Sequence, residues 1–398
     1  MAFTVDGPKV WPITPDWKED VRESLSWGTD VSQSSGTAAT HHRSYRIGPR
    51  RGFSFSLTAW HQEHRVADAL LAGYRGPWLL PIWPDGQALA SVLADGSDSI
   101  PCQTAGFDFV AGGQALLHRA VNLWEVVDVE SVEADHLVLG AETQATFGRG
   151  DRLYPLRRAW HQDGAEAQMS SDVASRRRLA FDVAEPCDWP VLTETEYLGY
   201  PVLTVRPDES DDPVNAYHGF RDAVDFGAAL PVISDLPGIT LRTQRDSWKL
   251  FGRTEHTWFR SLLYSRRGRQ RPIWVPSWQS DLAPAAAIAG GSTMLSVEWA
   301  GYTLFGQGKP NRQDVRIELR DGTVHHRRIT GAAEAGTVEM LTLDASLDAA
   351  TIAPEQIRQI SIMALATLAS DTTEISHLTD AEGVATAQTG WQAVVPDV

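Results

Sequence analysis

The sequence predicts a mainly β fold with a few helices (α+β), built around one structural module that occurs twice. Three observations carry this: apolar residues alternate with period two in several runs, turn residues punctuate those runs, and a strand-helix-extended segment recurs. At 398 residues the chain exceeds one ordinary hydrophobic core and fits two or three domains.

The first copy of the module runs from Arg50 through Phe53, Phe55 and Leu57, alternating with polar residues as a half-buried strand requires. A helical stretch follows, with Val66, Ala69, Leu70, Gly73 and Tyr74 on one face, then Gly76-Pro77-Trp78-Leu79-Leu80-Pro81-Ile82-Trp83. The second copy runs from Arg245 through Trp248 and Leu250, then a helix carrying Trp258, Phe259, Leu262 and Leu263, then Pro272 to Trp278. Arg266, Arg267 and Gly268 form a helix stop, with basic residues in the last turn and an αL cap at the glycine. A single offset of 195 residues sets Arg50 on Arg245, Phe53 on Trp248, Phe55 on Leu250, Gly73 on Gly268, Pro81 on Pro276 and Trp83 on Trp278, without a gap.

More strands follow each copy. Val121 to Val129 and His136 to Leu139 flank a polar turn, and Val315 to Leu319 and Thr323 to Ile329 flank Arg320-Asp321-Gly322, a hairpin signal. The expected layout is an extended docking arm at 1–40, a first β module at 41–160, and a connecting region at 161–235. That region holds a strand at Leu179 to Val183 and the acidic loop Asp208 to Asp212; a second β module at 236–380 and a tail at 381–398 complete the chain. The arm carries Trp11, Trp17 and Trp27 among prolines and has little to bury alone, so it is expected to dock on a neighbour.

The net charge of −16 argues against a nucleic-acid-binding face, which needs clustered Lys and Arg. Cys102 and Cys187 have no metal-knuckle or disulfide-framework spacing and read as reduced structural thiols. There is no run of 18 apolar residues, and the first residues lack a secretory-signal pattern, so folding in cytoplasm is expected.

Candidate chemistry is sparse. His61 and His64, with Asp68 a turn on, share a helix face but lack the His-Glu-x-x-His spacing of a zinc protease, and exposed helical histidine is the better reading. His41-His42 and His325-His326 are adjacent and point to opposite strand faces. Asp208 to Asp212 lacks the spacing of a calcium loop. No nucleophile elbow, Walker loop or dinucleotide fingerprint occurs, and no carboxylate pair stands out as a glycosidase pair. No catalytic residue, cofactor or metal is therefore assigned. The 15 Trp residues sit mostly beside proline or in apolar runs, a setting for packing or subunit contact more than for sugar stacking.

The stretch Trp11-Pro12-Ile13-Thr14-Pro15-Asp16-Trp17, Val21 to Val31, and Tyr45-Arg46-Ile47-Gly48-Pro49-Arg50-Arg51-Gly52-Phe53 resembles the N-terminus of tail-tip (baseplate, distal tail) structural proteins of long-tailed bacteriophages of the Mu-like siphophage type. Gly268 to Trp278 and Asp371 to His377 are similar to the same group. The resemblance implies two tandem tail-tube-like β-sandwich modules, each with one flanking helix. It further implies a homo-oligomeric ring of three or six chains, contacts to tail tube, tape-measure and baseplate hub proteins, and DNA only in transit without specific binding or membrane insertion. The implied location is the virion tail tip, after assembly in the host cytoplasm. On that reading Trp11, Trp17, Trp27, Arg50, Phe53, Phe55, Pro81, Trp83, Arg245, Trp248, Leu250, Gly268, Pro276 and Trp278 are structural and assembly residues. The alternative is a carbohydrate-binding tail module or virion glycan hydrolase, with Trp exposed in a groove.

Overall fold

A computed structural model describes residues 8–162, 166–210, 212–228, 230–379 and 383–395. The protein is mainly β, with 28 strands and two α-helices among the described residues. In its first half lie β1 (Lys9–Val10), β2 (Val21–Ser26), β3 (Thr29–Gln33), β4 (Thr40–Ser44), β5 (Arg50–Trp60), α1 (His61–Gly73), β6 (Trp78–Pro81) and β7 (Gln87–Ala88). They are followed by β8 (Ser99–Pro101), β9 (Gln114–Ala120), β10 (Leu123–Val132), β11 (His136–Leu139), β12 (Arg152–His161), β13 (Ala167–Ser171) and β14 (Ala174–Val183). The second half opens with β15 (Glu196–Tyr197), β16 (Tyr200–Pro201), β17 (Val214–Gly219), β18 (Asp222–Val224), β19 (Val232–Ser234), β20 (Thr240–Phe251), α2 (Gly252–Arg266) and β21 (Ile273–Pro276). It ends with β22 (Met294–Glu298), β23 (Asp314–Leu319), β24 (Val324–Ala335), β25 (Val338–Leu343), β26 (Ile357–Leu368), β27 (Thr372–His377) and β28 (Val384–Ala393).

The strand pairing of the first half recurs in the second. β5 pairs with β2 and β14, β14 with β12 and β13, and β12 with β6 and β9; β9 continues to β10, β11 and β8. Likewise β20 pairs with β17 and β28, β28 with β26 and β27, and β26 with β21 and β23; β23 continues to β24, β25 and β22.

Registers recur as well. Ala159 opposes Val183 and His161 opposes Phe181, as Ala366 opposes Ala393 and Leu368 opposes Trp391. A bulge at Val129/Ser131 in β10 has its counterpart at Ile329/Gly331 in β24. Even the approach to each module matches: Trp11 N–H donates to the Leu79 carbonyl and Leu203 N–H to that of Trp274, while Asp16 N–H donates to Ser56 and Asp208 N–H to Ser247.

This correspondence corrects the single offset. The turn from strand to helix falls at Trp60-His61 and at Phe251-Gly252, which a uniform offset would have set at Glu255-His256. His61 (φ 46°) and Gly252 (φ 67°) both take the left-handed conformation there, costly for histidine and free for glycine. Leu57 therefore matches Trp248, Ala59 matches Leu250, and Phe53 matches Gln244, whereas Pro81 and Pro276, and Trp83 and Trp278, coincide as aligned. Two residues more of helix and a longer α2–β21 link absorb the difference. The αL cap sits at Arg267, one residue before Gly268, whose φ is also positive.

Three further expectations change. The described part of the arm is not held out for a neighbour: β1 lies parallel to β6 and β2 is inserted between β5 and β27. The region 161–235 carries β13, β14 and β17, so the true link between the halves is the stretch after Val183 that crosses α2, where the Trp189 indole donates to Ser261 at 3.1 Å. Most of 381–398 is no tail, because β28 pairs along nine residues of β20 and buries Ala385, Ala387, Trp391 and Ala393. Its small alanines and threonines fit a crowded interior strand whose period-two pattern is weak in hydrophobicity.

Each repeat has two main apolar clusters, and the second has two smaller ones around Trp274 and Met363 and around Leu241 and Ala364. In the first, Trp11, Phe53, Phe55, Trp83 and Phe181 form one and Ile100, Leu117, Leu137, Phe147 and Leu153 the other. In the second, Trp248, Phe259, Leu262, Trp278 and Trp391 form one and Leu295, Ile317, Leu341 and Ile360 the other. The hairpins β3–β4 and β18–β19 leave the body at the same point of each repeat, and near them Ile47, Phe226 and Leu230 are exposed.

Candidate functional site

Most of the residues singled out from the sequence fall into two cores. Trp11 packs edge-on against Trp78 (5.6 Å between ring centroids) and near Phe181, and its indole donates to the Ile13 carbonyl. Phe55 stacks on Phe181 and meets Trp83, which packs on Tyr154 at 5.0 Å. Phe53 and Pro81 are buried beside them, and Trp17 is half-buried. In the second repeat Trp248 donates to Thr389 at 2.8 Å, Leu250 and Pro276 are buried, and the guanidinium groups of Arg206 and Arg316 lie 5.5 and 5.0 Å from the Trp278 ring centroid. Arg50 and Arg245 are exposed and join neither core.

Trp27 and Gly268 do meet. Trp27 belongs to the second repeat's cluster, and a Cβ on Gly268 would fall 3.0 Å from the Trp27 Cβ and 2.5 Å from Asp371 Oδ1. Asp371 binds the two segments together by accepting from the Thr29 and Arg269 amides at 2.9 and 3.0 Å, while its carbonyl accepts from Trp27.

Beside this contact lies what sequence reading missed, a buried charge network where the repeats join. Glu23 of β2 accepts from Arg51 (2.7 Å) and Arg260 (2.9 Å), and lies 3.0 Å from His377 Nε2. Asp85, just after β6, pairs with Arg253 (2.8 Å) and Arg260 (3.4 Å) and accepts from the Asp108 amide. Asp108 pairs with Arg51 at 2.5 Å and with Arg157, which Glu185 approaches at 3.6 Å. The acids and Arg51 and Arg157 come from the first repeat and its link; Arg253, Arg260 and His377 come from the second.

Burial by itself would raise the Glu23 carboxyl, but Arg260 and Arg51, aided by His377, hold it well below the usual range. Asp85 is held at about 2 in the same way, burial being outweighed by Arg260 and Arg253. Burial pulls Arg260 down, and Glu23 and Asp85 more than offset it, so it stays charged. With every charge matched, the network adds little net stability over apolar packing but makes removal of one member costly, about 3–5 kcal/mol. It can fix the geometry of the junction; it has no open position for a substrate, since Glu23 and Asp85 are fully buried.

His61 is exposed. His64 is 2.8 Å from the Ser175 hydroxyl and Asp68 pairs with Arg177, so the helix face carrying them packs on β14. Asp208 bonds to Ser210 and Lys249, while Asp211 lies outside the described residues. Among the described residues no group of three or more His, Cys, Asp or Glu is placed to hold a metal ion. Both cysteines are unpaired, Cys187 being buried.

Of the 15 Trp residues, Trp11, Trp27, Trp78, Trp83, Trp248, Trp274, Trp278 and Trp391 are buried, whereas Trp60, Trp124, Trp160 and Trp299 are exposed. Trp17 and Trp60 border an open groove of about 680 Å³ that His118, Glu63 and Asp151 also line. Comparison with protein-family models and with curated proteins gives no match.

Proposed function

We propose that this protein is a structural component of a bacteriophage tail tip or baseplate, linking the tail tube to distal tip proteins and helping to form the ring around the DNA exit channel. On this reading the chain carries two tandem tail-tube-like β-sandwich modules, each with a flanking helix. Its role is assembly and not catalysis. The observation that carries the reading is the recurrence of one pairing scheme over nearly the whole described chain, with α1 and α2 in matching places. Two equivalent units in one chain suit a ring, because a repeated contact closes on itself when its rotation divides the circle. The charge of −16 suits a channel through which DNA slides without binding.

Negative-stain microscopy of the purified chain, alone and with tube protein, tests this: rings or capped tube ends are expected. A particle that stays monomeric and ignores tube ends would overturn it. A second reading, a carbohydrate-binding tail module or virion glycan hydrolase, is favoured by one feature, the Trp17 and Trp60 groove. Trp60→Ala should abolish polysaccharide binding if that reading holds, and leave ring formation intact if the first does.

A further inference from the structure

The junction inside the chain is made by β2 of the first repeat, paired antiparallel with β27 of the second, Arg22 opposite Ser376 and Glu23 opposite Ile375. Each of these strands has a counterpart in the other repeat. β17 lies along β20 as β2 lies along β5: Val214 opposes Arg245 and Arg22 opposes Ser54, and Arg245 and Ser54 hold the same place ahead of the two strand-to-helix turns. β13 lies along β14 as β27 lies along β28, with Gln168 opposite Arg176 and Ser376 opposite Thr386. In the registers of β14 and β28 on β5 and β20, Arg176 and Thr386 again correspond.

Among the described residues β17 pairs only with β20 and β13 only with β14, so each keeps an open edge. Proteins usually protect such edges with charge, above all lysine. Neither strand carries a charged residue: their sequences are Val-Asn-Ala-Tyr-His-Gly and Ala-Gln-Met-Ser-Ser. Met169 (60% exposed), Val214 (53%) and Tyr217 (57%) instead present apolar surface there.

We infer that β17 of one copy pairs antiparallel with β13 of a second copy of this chain, Val214 opposite Gln168 and Asn215 opposite Ala167, repeating between chains the contact that β2 and β27 make within one. The occupant is a second copy because the edge β17 needs is the one its own fold supplies, at the place already used as a junction. Charge agrees. The place of Glu23 at the inner junction is taken by Asn215 at the outer edge, and that of Arg260 by an alanine, Ala69 counted from the strand-to-helix turn and Ala67 counted from the helix end. The outer contact thus has no counterpart of the Glu23–Arg260 pair, and Arg242, in the place of Arg51, donates instead to the Val275 carbonyl at 2.9 Å.

The contact is heterologous and continues head to tail, so it forms a closed ring if the rotation permits. Closure at three chains, giving six equal steps, rests on the ring reading above; the strand pairing does not.

Disulfide trapping tests the pairing, because residues opposite each other in antiparallel strands lie within disulfide range. The chain carrying Gln168→Cys and Val214→Cys should, on oxidation, give an inter-chain ladder that collapses to monomer on reduction. Wild type, with Cys102 and Cys187, and an out-of-register Gln168→Cys/Tyr217→Cys pair should give far less. Met169→Lys with Val214→Lys should weaken association roughly tenfold or more while leaving thermal unfolding unchanged. Oligomers that form without the 168–214 crosslink, and that the lysines leave intact, overturn the pairing and spare the ring reading. A chain that stays monomeric at high concentration and on tube ends overturns both.

Discussion

Trp83 and Trp278 occupy the same place in each repeat, and their burial sets what each substitution costs. Truncating a buried Trp removes a large transfer term and leaves a cavity, about 3–5 kcal/mol. Trp83→Ala and Trp278→Ala should each lower the unfolding free energy by that amount in urea titration, whereas Arg50→Ala and Arg245→Ala, exposed in both repeats, should change it by less than about 0.5 kcal/mol. His256 makes a pH-dependent contribution. Burial first, then His377 and Arg253, push its pKa from 6.5 down to about 4. The folded state therefore prefers the neutral ring, and stability is fully present above pH 6.5 and lost as pH falls toward 4, while the unfolded chain takes up the proton first. The effect is about 3 kcal/mol. His256→Gln should flatten the pH dependence of unfolding between 6.5 and 4, and an unaltered slope would count against the assignment. Asp85 acts lower on the scale: its stabilisation is present above pH 3.8 and lost as pH falls toward about 2.

At the scale of elements, the junction depends on β2, α2 and the Asp85 turn acting together. Arg260→Ala should cost about 3–5 kcal/mol, because Glu23 and Asp85 then stay buried with a partner missing. The double variant Glu23→Leu/Arg260→Leu should cost less than the two single changes summed, and a double-mutant cycle with no coupling would refute the pairing. β28 is the other test. Ending the chain at Gly383 removes the strand between β20 and β26 and strips cover from Trp248 and Leu250, so cooperative thermal unfolding by circular dichroism should disappear. A true tail could be removed without loss.

For the whole molecule, the mainly β class and the existence of a repeat were legible because alternation at Phe53, Phe55 and Leu57 and the Pro-Trp segments survive in the order of residues. The extent of the repeat was not. Its registers agree over strands whose side chains differ, such as Phe181 against Trp391 and Leu156 against Met363, because hydrogen bonding between backbones needs only matching direction and length. The charge network was illegible for another reason. Glu23, Asp85, Asp108, Arg157 and Arg260 are scattered among the 86 charged residues of the chain, and only burial distinguishes them from solvated ones. Sequence alone thus determined the strand-rich class, the presence of the two helices and the two Pro-Trp anchors, all of which depend on neighbours a few residues away, but not the buried face of α1, which holds Ala67 and leaves Ala69 and Gly73 exposed. Tertiary structure decided the rest: that the N-terminal segment completes the chain's own sheets, that the last strand is interior, and that the two repeats meet across a sealed ionic junction. Each of those depends on residues tens to hundreds of positions apart, whose proximity no local pattern encodes.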